Sequence, residues 1–74
     1  MGKHIQHNHL KKIRIAAGLS KAALARLSGK SITTIRDIEE HIRGGNPETR
    51  NSLVAGLNKS NNISKEYTFR EVFP

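Results

Sequence analysis

The chain has no cysteine and no tryptophan, and its acidic residues are few: six, against thirteen lysines and arginines. Without cysteine there is neither a disulfide framework nor a thiolate metal site. The shortage of acids leaves a formal net charge of +7, a balance that suits a polyanion such as nucleic acid. Aromatics are confined to the tail, as Tyr67, Phe69 and Phe73. The rest of the surface therefore lacks the stacking platforms that RNA recognition uses. No apolar run is long enough to span a membrane, and no signal-peptide pattern opens the sequence, so a soluble cytoplasmic protein is expected. Its 74 residues allow one small domain. A core of that size is marginal unless it is helix-dense or supported by self-association.

What is present centres on residues 20–39, SKAALARLSGKSITTIRDIE. Ser20 is a natural N-cap, since its hydroxyl can accept a bond from a free backbone N–H of the first turn. Lys21 to Ser28 follows as a helix with Leu24 and Leu27 on one face, and Ala22, Ala23 and Ala25 as strong helix formers. Gly29 breaks it, because glycine reaches positive φ without a Cβ clash. Ser31 is the next cap. Ile32, Ile35 and Ile38 then recur at helical spacing. Two short helices joined in this way are a device for laying one helix in the DNA major groove.

On either side the signals are also helical. Asn8 is the expected cap of a helix over about 9–17, with Leu10, Ile13 and Ala17 on one face and Gly18 at its end. Gly44-Gly45 marks a loop. Asn46-Pro47-Glu48 gives a cap, a proline at the first helical position and an acid in the first turn. The fourth helix is expected over about Pro47 to Ser60, with Leu53, Val54 and Leu57 apolar and Gly56 weakening it by roughly 1 kcal/mol relative to alanine. Asn61-Asn62 is turn chemistry. Thr68 and Glu71 fit a capping box for a short fifth helix over Phe69–Phe73, although the alternation of Tyr67 and Phe69 also permits an edge strand. Phe69 and Phe73 are expected to close the core.

From Leu10 to Leu57 the chain resembles the Xre/Cro-type, lambda-repressor-like helix-turn-helix family. The resemblance rests on Leu10, Ile13-Arg14, Gly18-Leu19-Ser20, Leu24-Ala25, Gly29, Ser31, Ile35, Ile38-Glu39, Pro47, Leu53 and Leu57. It implies an all-α, compact five-helix domain over 9–74, with a basic arm at 1–8. It also implies a partly buried ion pair between Arg14 and Glu39. Departures are visible. Ser28 and Lys30 stand where relatives carry apolar residues, thinning the lining of the turn. Lys21 stands where glutamine is common, and Ala22 and Ala23 replace acids.

The same resemblance assigns an outward face. Ser31, Ile32, Thr33, Arg36 and Asp37 match positions that face the groove. Thr33 can bond base edges or phosphate, Arg36 can make a bidentate contact with guanine, and Ile32 can pack on a thymine methyl. Asp37 repels phosphate but can accept from a cytosine amino group. The ordinary alternative is a merely solvated helix face, with Ile32 in the core. Ser20, Lys21, Lys30 and Arg43 are the candidates for phosphate contact, about three phosphates per subunit, each worth roughly −0.9 in salt slope.

Other constellations fall away. His4, His7 and His9 are close in sequence, but an arm rarely preorganises imidazoles and no acid or thiol lies nearby, so no metal is expected. Gly29-Lys30-Ser31 ends like a phosphate-binding P-loop, yet Leu24 occupies the position of its first glycine. No enzyme constellation, cofactor motif or substrate pocket is indicated. The expected function is a sequence-specific, double-stranded-DNA-binding transcriptional regulator, acting as a homodimer and a repressor. The alternative is a protein-binding adaptor or antitoxin-like module on the same fold.

Overall fold

The structure is a computed structural model and describes residues 8–60 and 66–74. The proposed arm, His4 and His7 within it, and the Asn61-Asn62 turn lie outside the described residues, save for Asn8. Five helices run in order: α1 Leu10–Ala16, α2 Lys21–Ser28, α3 Ile32–Glu39, α4 Pro47–Lys59 and α5 Phe69–Val72. No strand occurs among the described residues.

The helices begin where local chemistry can satisfy their free N–H groups. Ser20 accepts from the Ala23 N–H, Ser31 from Thr34, and Asn46 from Thr49. Thr68 and Glu71 form the full reciprocal capping box. Asn8 acts from one residue further out than expected. The cap position belongs to His9, while the Asn8 Oδ1 accepts from the Leu10 N–H at 3.0 Å. Its amide also donates to the Ile38 carbonyl at 3.1 Å, pinning the start of α1 to the end of α3.

Leu10, Leu24, Ile35, Ile38, Leu53, Val54, Leu57, Val72 and Phe73 form the buried core. Helix α2 packs chiefly on α4, and Gly56 of α4 lies close against Ser28 at the end of α2. A Cβ there would meet the Cβ and backbone N of Ser28 at 3.0 Å. The glycine that weakens α4 and the small polar residue at Ser28 are thus two halves of one close crossing. Gly56→Ala should therefore destabilise the protein by about 1–2 kcal/mol, because overpacking outweighs the helix-propensity gain. A thermal or urea melt checks this. A stabilised variant would mean that the two backbones can separate freely.

The tail corrects one expectation. Phe73 is buried, but Phe69 is 37% exposed, and Val72 takes the inner position with no exposure at all. A single turn of helix turns only one narrow side inward, and here that side is its C-terminal end. Phe69 instead covers Phe73 from outside, with ring centroids 5.4 Å apart. The His9 N–H donates to the Val72 carbonyl at 2.8 Å. The Asn58 side chain exchanges two bonds with the Tyr67 backbone, at 2.8 and 2.9 Å. The tail is thereby tied to α1 and α4.

Candidate nucleic-acid interface

Between α2 and α3 the chain turns at Gly29, whose φ of 75° is the left-handed conformation that an L side chain disfavours. The turn aligns α3 with Ile35 and Ile38 buried and Ile32, Thr33 and Arg36 outward. Those three lie at i, i+1 and i+4, so they share a side of the helix. Ile32 is 49% exposed. Its place is the outer face and not the core, despite its spacing with the two buried isoleucines.

What fixes α3 is a buried charge pair. The Arg14 Nε and Nη2 donate to the two oxygens of Glu39 at 2.6 and 3.1 Å. The Arg14 Nη1 donates to the Leu19 carbonyl at 2.8 Å. One arginine on α1 thus holds both the end of α3 and the lead-in to α2. The bond to Leu19 has no sequence signature, because a carbonyl is available at every residue.

Two of the candidate readers are otherwise engaged. The Ser31 hydroxyl accepts from the Thr34 N–H at 3.0 Å and donates to the Thr34 hydroxyl at 2.9 Å, so it is a capping group. Asp37 does not stand at the surface as expected. Its side chain is 8% exposed, and its two oxygens pair with Arg36 at 3.0 Å and Arg43 at 3.2 Å. The reason lies in the turn after α3. His41 takes a left-handed φ of 62°. The Ile42 N–H then reaches back to the Asp37 carbonyl at 2.8 Å, and His41 to Ile38 at 3.2 Å, which is the Schellman pattern. This bend returns Arg43 to α3. A histidine in that conformation is rare, so the sequence did not announce it.

Among the candidate phosphate contacts, Ser20 is exposed, although its hydroxyl caps α2. Lys21 is half-buried at the first residue of that helix. Arg43 is largely exposed, even while paired with Asp37. Lys30 is drawn away. Its ammonium donates to Glu48 at 2.9 and 3.2 Å across to α4. The Lys30 bonds, with a further one from Ser52, lower the pKa of the Glu48 carboxyl from its ordinary value. The Glu48 carboxylate offsets the Lys30 charge, so Lys30 adds little to a DNA-facing positive surface.

The arrangement is a capped helix with an exposed apolar, hydroxyl and guanidinium face, and Arg43 lies beside it at Asp37. The family described as helix-turn-helix matches residues 10–44. Residues 10–44 are thus a helix-turn-helix of the lambda-repressor-like type. The match covers α1 to α3 and the turn that carries Arg43, and a helix-turn-helix of this type implies double-stranded DNA binding. No curated protein and no solved structure matches the chain. No described helix is long and apolar enough to cross a membrane. Among the described residues no group of three metal-ligating side chains converges.

Proposed function

We propose that this helix-turn-helix protein is a sequence-specific transcriptional regulator that reads the major groove with α3 and represses by occluding its site. The observation that carries this reading is the joint exposure of Ile32, Thr33 and Arg36 on a helix whose other side is locked by Arg14 and Glu39. Rigidity matters because base edges are discriminated by bond geometry. Lys21 at the start of α2 and the exposed Arg43 beside Asp37 are cations suited to phosphate contact. Binding as a homodimer, two copies of α3 would enter successive major grooves about 34 Å apart on an inverted repeat. Repression needs only occupancy.

Selection of bound duplexes from a randomised pool, followed by anisotropy titrations across a salt series, tests this. An enriched inverted repeat is expected. The salt slope should be about −2 per bound subunit, from Lys21 and Arg43 at roughly −0.9 each, with Lys30 held by Glu48. Equal binding of all sequences, or none at low salt, would overturn the reading and leave the adaptor module in its place.

A further inference from the structure

The position of Asp37 is unexplained by groove reading, since a buried carboxylate touches no base. It lies beneath two arginines whose side chains are 50% and 73% exposed. One oxygen takes the Arg36 Nη2 and the other takes the Arg43 Nε. Its backbone carbonyl also accepts from the N–H groups of Ile42 and Arg43, at 2.8 and 3.3 Å. Side chain and main chain of one residue thus hold both Arg36 on the second turn of α3 and the returning loop.

We infer that Asp37 is a positioning residue that couples base readout by Arg36 to backbone contact by Arg43. The inference rests on the DNA-binding reading above. A guanidinium has five N–H donors; Arg36 spends one on Asp37 and Arg43 is held there by an ion pair, so the remaining edges of both face outward. An arginine already tethered loses less conformational freedom on binding. The carboxylate also cancels one of two clustered positive charges. Non-specific attraction to phosphate is thereby reduced while the orientation of Arg36 is kept.

Removing Arg43 leaves both carboxylate oxygens to Arg36, which is then drawn down onto the protein. An independent phosphate contact weakens every sequence alike when lost. A contact coupled through Asp37 changes discrimination as well.

The duplex selected above supplies the probe. Arg36→Ala identifies the base pair that Arg36 reads, as the position where preference relaxes. Anisotropy at one fixed salt then compares the wild type, Asp37→Asn and Arg43→Gln on three duplexes: the selected site, the site altered at that pair, and a scrambled sequence. Asp37→Asn should tighten binding to the scrambled duplex about threefold, through one less negative charge, and lower discrimination at the Arg36 pair about tenfold. Arg43→Gln should weaken scrambled binding and also lower discrimination at that pair.

Two results overturn the inference. One is Arg43→Gln weakening all three duplexes by the same factor. The other is Asp37→Asn weakening the selected and scrambled duplexes alike, as a simple structural residue would. Arg43 is exposed, so its variant retains the fold and decides the matter alone if Asp37→Asn melts. If the wild type binds no duplex at all, the regulator reading itself fails, and this coupling fails with it.

Discussion

Arg14→Ala should cost about 3–5 kcal/mol of stability, as should Glu39→Ala, enough to leave a domain of this size largely unfolded at 37 °C. The Glu39 side chain is 1% exposed, and both of its side-chain donors come from Arg14. Deleting the arginine strands a carboxylate with almost no water to solvate it, and leaves the Leu19 carbonyl without its donor. The converse deletion strands a guanidinium that is 8% exposed. Replacing both together, as Arg14→Met with Glu39→Leu, removes the charges along with their desolvation penalty. It should restore most of the loss. Urea denaturation followed by helical circular dichroism compares the wild type, the two single variants and the double replacement. Single substitutions costing under about 1 kcal/mol would show that water reaches the pair, as at a surface salt bridge.

The pair shows which features were legible in the sequence. It could be named beforehand only through the family resemblance, since 25 residues separate its members and neither is marked by its neighbours. The caps were legible directly. Ser20, Ser31, Asn46, Thr68 and Glu71 act within three residues of themselves, and short-range chemistry is written in short-range sequence. The helical faces were legible for a similar reason, because Leu24, Ile35, Ile38, Leu53 and Leu57 recur with the helical period and are all buried.

What was hidden depends on how the elements meet. Gly56 read as a flaw and Ser28 as a gap in the turn lining, until the crossing of α2 and α4 brought them into contact. The tail misled because four residues carry no period, so Val72 and Phe69 could not be told apart by spacing. On α3, Ile32 fitted two assignments, core or outer face. Asp37 fitted its outward assignment until His41 bent the chain and brought Arg43 above it. Residue type identified the chemistry available on α3, but the turn after it decided which groups are free to act.

The double replacement Thr33→Ala with Arg36→Ala should weaken binding to the selected duplex by about 2–4 kcal/mol per subunit, a roughly 30- to 1,000-fold loss. Arg36 carries most of this through its fork on guanine. Thr33 is exposed and adds one hydroxyl contact. Folding should change little, because both side chains lie on the outer face and Asp37 retains Arg43 as its partner. The melt should therefore shift by no more than about 1 kcal/mol in stability, the scale of an exposed ion pair. Binding to a scrambled duplex at low salt should fall much less, since Lys21 and the rest of the positive surface remain. Loss of specific affinity with the fold and the non-specific component retained is the pattern of a base-reading face. Loss of both duplexes in equal proportion would assign Arg36 to the phosphate backbone. Unchanged affinity for the selected site would mean that another surface of the protein recognises DNA.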